Sequence, residues 1–349
     1  MFYHKFNLRI GEKTMKKSDL VRWGLILSTL TLTACGDTQE ENMDSSAADG
    51  EETVLEDSSE ENVEETEESP SVVTIEDAAG NTVEVPADPQ TIAVFDNGQL
   101  DNLSTLGLGE RVVLTASPNL PDHLSEYEDI EVAGSFFEID LEVTNAAQPD
   151  LIIVAGRSSS AYDDLKDIAP TIDLSNDSTA YFDSIDSNLD RLGMIFGLED
   201  EAEAIMSELE TELEELRERA DASEMTTLMA MYNEGSLSAY GPGSRFGVVH
   251  DAFGFTSVDE DIEEANHGME ISFEYVLEMD PDILFVIDRT AAIGGDTSSQ
   301  PIEENPVIQQ TSAFQSDSIY YLSPAAWYLA EGGVGTFRIM MDEVGQALN

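Results

Sequence analysis

The sequence predicts an α/β protein of two lobes, each with a central, mostly parallel sheet, joined by one long helix. Three observations carry this expectation. Short apolar runs ending in Gly, Arg or Pro alternate with short helical patterns at intervals that suit right-handed crossovers. The arrangement occurs in both halves, and QPDLIIV at Gln148–Val154 is echoed by DPDILFV at Asp280–Val286. Between the halves, Ser184–Ala222 is the one long run of helix-former composition, with Ala204, Met206, Leu209, Leu213 and Leu216 at three- and four-residue spacing.

The chain divides into a leader at 1–34, an acidic tether at 35–70, a first lobe at 71–183, a bridging helix at 184–222 and a second lobe at 223–349. In the leader, Lys16 and Lys17 precede an apolar stretch, Trp23–Leu32, that is short for a bilayer span. Leu32-Thr33-Ala34-Cys35 follows and resembles a bacterial lipobox, so Cys35, the single cysteine, is the expected lipid attachment point. A chain with no second thiol has no disulfide to form. The tether is rich in Glu, Asp, Ser and Thr, too polar to bury a core and kept extended by like charges.

The first lobe opens on Val72–Ile75 and Thr82–Val85 around Gly80-Asn81, a hairpin signal. Thr91–Phe95 reads as a buried strand, Asn97–Leu106 as a helix, Arg111–Thr115 as a strand, Asp140–Ala147 as a helix and Leu151–Val154 as a strand. The second lobe repeats the alternation with strands at Thr227–Tyr232, Ile283–Ile287 and Ile319–Leu322 and helices at Arg245–Phe253 and Phe273–Met279.

Fifteen Lys and Arg stand against 73 Asp and Glu, a formal net charge of −58. Such a field repels nucleic acid and anionic lipid head groups, so nucleic acid is excluded as a partner. Beyond the leader only eight arginines and Lys166 remain. Three of these arginines fall at strand ends or in a comparable loop: Arg157 after Leu151–Val154, Arg289 after Ile283–Ile287, and Arg245 in Tyr240–Arg245. Ligands of open α/β sheets sit beyond the carboxyl ends of strands, and guanidinium forks suit oxyanions, so the trio predicts a cleft for an anionic ligand. His267, in a loop, and Tyr328, after the strand Ile319–Leu322, add an imidazole and a phenol, both able to ligate ferric iron. His123 and His250 read as structural.

GSRFGVVHDAFGF (Gly243–Phe255), ISFEYVLEMDPDILFV (Ile271–Val286) and YYLSPAAWYLAEGGVGTFRIMMDEV (Tyr320–Val344), together with the lipobox, resemble the iron-siderophore substrate-binding lipoproteins of bacterial ABC importers. The likeness is nearest to the petrobactin and catecholate branch. It implies two Rossmann-like lobes bridged by one long helix, and a monomer that captures a ferric siderophore and hands it to an ABC permease with a cytoplasmic ATPase. It implies no intrinsic cofactor and no enzymatic activity. By the same resemblance Arg157, Arg245 and Arg289 surround the ligand, with Trp327 beside the site, and His267 and Tyr328 complete iron coordination if the siderophore leaves sites open. Permease docking falls to Glu274 in the second lobe and to Glu138, with Glu142 next, in the first. Haem or cobalamin capture by the same fold is the alternative. A metallohydrolase would want HExxH, GxSxG or a close histidine pair, none of which the sequence contains.

Overall fold

The computed structural model describes residues 71–116, 119–263, 265, 267–293 and 301–349. The expectations for the leader, the tether and Cys35 lie outside these residues. Strands β1 (Val72–Glu76) and β2 (Thr82–Pro86) form the antiparallel hairpin. Its turn is held by Asp77, whose Oδ1 accepts from the backbone N–H groups of Ala79 and Asn81, with Gly80 at φ 81°. Then come β3 (Ile92–Val94), α1 (Asn97–Thr105), β4 (Val112–Thr115), β5 (Glu131–Val132), α2 (Leu141–Ala147), β6 (Leu151–Val154), α3 (Tyr162–Leu165) and β7 (Thr171–Asp173). The five strands from β3 to β7 make one wholly parallel sheet in the order β5-β4-β3-β6-β7. The short strands β3 and β6 are apolar and buried along their whole length, as a sheet covered on both faces requires.

The expected single helix is two. The chain forms α4 (Tyr181–Phe196), turns at Gly197 with φ 66° and ψ 37°, and resumes as α5 (Glu199–Ser223). Phe196-Gly197-Leu198-Glu199-Asp200-Glu201 contains the reason: a left-handed glycine closes the first helix, and an acidic first turn suits the positive end of the second. The bridging role falls to α4. Its Tyr181, Ile185 and Leu189 lie in a core with the second sheet, and its Leu192, Ile195 and Phe196 in a core with the first. At roughly 1.5–3 kcal/mol for each large apolar side chain buried, both ends are firmly seated. On α5 the buried stripe is Ala202, Met206, Leu209, Leu213, Leu216 and Ala220, so Ala202 replaces the expected Ala204, which is exposed.

The second half comprises β8 (Thr226–Asn233), β9 (Ser236–Tyr240), α6 (Val248–Asp251), β10 (Thr256–Ser257), β11 (Met269–Ile271), α7 (Phe273–Met279), β12 (Ile283–Asp288), α8 (Arg289–Ala292), α9 (Ser312–Gln315), β13 (Ile319–Leu322), α10 (Pro324–Leu329) and α11 (Val334–Gly345). Its sheet runs β11-β9-β8-β12-β13, with β10 on β8. This sheet is mixed rather than mostly parallel: β9 runs antiparallel to β8 and β11 antiparallel to β9. The cause is local. Glu234 and Gly235, at φ 50° and 92°, make a two-residue hairpin turn that reverses the chain after β8. The helix expected over Arg245–Phe253 shrinks to the four residues of α6, because Gly241–Gly247 is folded into turns, with Gly243 at φ 73° and Ser244 Oγ donating to the Gly241 carbonyl. Among the described residues no helix is long and apolar enough to cross a membrane.

The halves also meet through α1 and α11. The N-terminus of α11 has no side-chain cap of its own. It is capped from α1: Asn102 Oδ1 accepts from the N–H of Val334 at 3.0 Å, and Asp101 Oδ2 from that of Thr336 at 2.6 Å. Both side chains are buried. Asn102 Nδ2 donates to the Gly332 carbonyl, and Gly98 lies so close that a Cβ there would sit 2.1 Å from the Glu331 carbonyl oxygen. This joint fixes the loop that follows α10.

Candidate functional site

Most basic side chains are spent on the scaffold. Arg111 holds Asp88 and the Pro89 carbonyl, Arg191 the Glu76 carbonyl, Arg217 the Ala252 carbonyl, Arg219 the Gly345 carbonyl, Arg338 Glu212, and Lys166 Asp163. Arg157, Arg245 and Arg289 instead converge on one residue, Tyr328. Arg157 Nη2 donates to its carbonyl oxygen at 2.6 Å and Arg245 Nη2 to the same oxygen at 3.2 Å. Arg289 Nε donates to its phenol oxygen at 3.0 Å. The three guanidinium carbons lie 5.0, 4.5 and 5.6 Å from the centre of its ring, within cation–π range.

Each side chain has a local reason for its place. Arg157 is the second residue of the short 3-10 turn after β6, whose first residue, Gly156, takes φ 52°. Arg289 opens α8 behind Asp288, whose carboxylate caps that helix by accepting from Thr290 and Ala291 N–H. Arg245 reaches in from the turns between β9 and α6, not from a parallel strand end. Tyr328 rides on α10, which Pro324 starts.

The cleft has a volume of about 450 Å³ and draws on both halves: Asp96, Phe137, Arg157 and Asn176 from the first, Arg245, His267, Tyr328 and Glu331 from the second, with Tyr181 of α4 between. His267 is an exposed part of its lining. Among the described residues no group of three or more His, Cys, Asp or Glu could hold a metal ion. Trp327 does not line the cleft. It is fully buried, and its indole N–H donates to Glu343 at 2.8 Å. Consecutive residues of α10 project in different directions, so Tyr328 can face the cleft while Trp327 enters the core.

Two carboxylates absent from the expected site belong to it. Glu331 accepts from Arg245 Nε at 3.0 Å, is also bonded to Arg245 Nη2, and lies 4.0 Å from Arg157 Nη2. Asp96, the N-cap of α1, accepts from Gln99 N–H. Burial pushes its carboxyl up to about 7, against the opposing pull of the Gln99 N–H and the Arg157 charge. A carboxylate just past a buried strand, and one beside a glycine pair after Tyr328, were the signals available for them. Burial works to raise the Tyr328 phenol, but the Arg289 hydrogen bond and the charges of Arg245 and Arg289 prevail and hold it below the usual tyrosine range. The phenol is thereby biased towards its anionic form, the one a hard cation prefers.

A two-lobed α/β molecule with a cleft between its sheets, lined by Arg157 and Arg245, has the architecture of an extracytoplasmic substrate-binding protein of an ABC importer, which binds its cargo and transforms nothing. The chain belongs to the periplasmic binding protein family, whose profile matches residues 92–326. It is 36% identical over 266 residues to the petrobactin-binding protein YclQ of Bacillus subtilis, covering 76% of this chain and 84% of that one. The YclQ crystal structure superposes with a TM-score of 0.78, covering 80% of this chain and 99% of that one. The catecholate-siderophore-binding protein VctP of Vibrio cholerae gives 0.73 at 30% identity, over 79% of this chain and 100% of that one. The ferric-anguibactin-binding protein FatB of Vibrio anguillarum is 28% identical over 73% of this chain and 81% of its own.

Proposed function

We propose that this protein captures an anionic ferric siderophore of the catecholate type and delivers it to an ABC permease for iron uptake. The observation that carries the reading is the convergence of Arg157, Arg245 and Arg289 on Tyr328, which lines the cleft together with Arg157 and Arg245. Catecholate oxygens around ferric iron carry negative charge on flat rings. Guanidinium groups answer both features, donating to the oxygens and stacking on the rings. In a chain of net charge −58 a local cationic patch still governs, because nearby charges in a partly desolvated cleft act strongly while distant exposed carboxylates are screened within about 10 Å at 0.1 M salt. The names of YclQ and VctP support the ligand class. His267 and Tyr328 line the cleft and would fill iron sites that a ligand leaves open.

Cys35 would tether the protein by lipid to the outer face of the cell membrane, as a monomer. For docking on the permease, internal symmetry favours Glu142 over Glu138 as the partner of Glu274. Glu142 and Glu274 are exposed second residues of the seven-residue helices α2 and α7, which Asp140 and Ser272 cap alike. Glu138 is exposed in the turn before α2.

The test is fluorescence titration of the 36–349 protein with ferric petrobactin, a ferric hydroxamate, haem and cobalamin. Trp327 is its single tryptophan and adjoins Tyr328 in sequence. Tight quenching by ferric petrobactin is expected. Response to haem or cobalamin alone would replace the ligand, and response to none of the four would overturn the reading.

A further inference from the structure

The cleft holds an anion of its own. Glu331 occupies the Arg245 fork with both carboxylate oxygens and reaches towards Arg157, so the groups that should receive the ligand are already paired. The Glu331 backbone is immobilised: the next N–H, of Gly332, donates to Tyr181 Oη at 2.7 Å, and Gly98 packs on the Glu331 carbonyl. Only the side chain can leave. We propose that Glu331 is a specificity-determining residue that acts as a built-in competitor, vacating the Arg245 fork only for a ligand whose own oxyanions replace it. The inference rests on the proposed siderophore function and deepens it. A neutral ferric complex offers Arg245 no charge in exchange and is held out, whereas a polyanionic one takes the fork over.

The experiment compares wild type, Glu331→Gln and Glu331→Asp by Trp327 quenching with ferric petrobactin and with a neutral ferric trihydroxamate. Glu331→Gln is expected to bind ferric petrobactin about tenfold more tightly and to admit the neutral complex. Glu331→Asp, which keeps the carboxylate, should still hold the neutral complex out. Weaker or unchanged binding by Glu331→Gln, with wild type binding normally, overturns the competitor and leaves the siderophore reading standing. No binding of ferric petrobactin by wild type removes both.

Discussion

Arg157 and Arg289 hold the same place in a unit that the chain uses twice, and both end on Tyr328. In each copy a capped seven-residue helix, α2 or α7, closes on a residue at φ 47° and ψ 58°, Gln148 or Asp280. A Pro-Asp pair follows, and the aspartate fastens the new strand to its neighbour: Asp150 Oδ2 accepts from the N–H of Gln90 and of Thr91, Asp282 Oδ2 from Thr226 N–H. The strand then runs into its arginine. Two halves built this way bring guanidinium groups to one tyrosine, Arg157 to its carbonyl and Arg289 to its phenol.

Arg289→Ala should weaken ferric petrobactin binding by about 10- to 100-fold, the range of roughly 1.5–3 kcal/mol for a hydrogen bond to a charged group. It leaves the Arg245–Glu331 pair in place, so fold and melting temperature should change little. Trp327 quenching provides the affinity, and an unchanged value would remove Arg289 from the site.

The repeated left-handed residues differ in what their side chains do. Gln148→Gly should stabilise the protein by up to about 1 kcal/mol, since glycine adopts positive φ without strain. Asp280→Gly should destabilise it, because the Asp280 carboxylate accepts from Ser312 N–H at 2.7 Å and Ser312 Oγ at 3.0 Å. Urea unfolding of the two variants should therefore shift in opposite directions.

Asp101→Ala strips Thr336 of its hydrogen-bond acceptor at the buried start of α11. A loss of about 1–3 kcal/mol in urea unfolding is expected, the scale of a lost cap plus an unpaired buried donor.

Asp96 carries a pH signature. Its folded value of about 7 lies above the ordinary 3.8, so the folded chain holds the proton more tightly than the unfolded one. The Asp96 contribution to stability thus falls as pH rises from about 4 to about 7 and is constant beyond either limit. Asp96→Asn should remove that slope, which is read as the difference between the wild-type and variant unfolding curves.

Much of this was legible in residue order. The PD-strand echo announced the repeat and located Arg157 and Arg289, because a strand end is fixed by its apolar run. Arg245 was found beside a helix that proved to be mostly turns, since three glycines between Gly241 and Gly247 defeat helical periodicity. The Gly197 break was written in the sequence, but the amphipathic pattern on either side masked it. Glu331 was obscured by composition: among 73 acidic residues, one more carries no signal until its guanidinium partners are placed around it. Trp327 shows the converse, where adjacency in sequence put the wrong side chain at the cleft.

The cap that α1 lends to α11 bears on how the chain is made. The donor helix, Asn97–Thr105, is synthesised first, and the helix it completes follows 232 residues later. Until Val334 and Thr336 emerge, Asp101 and Asn102 have no backbone N–H to receive, and α4 has only part of its second core to lie on. The cap of α1 on α11 is therefore completed only once Val334–Gly345 has been made. A nascent or truncated chain lacking α11 would leave Asp101 facing His123 and Asn102 facing Gln99, without the backbone N–H groups that the finished protein supplies.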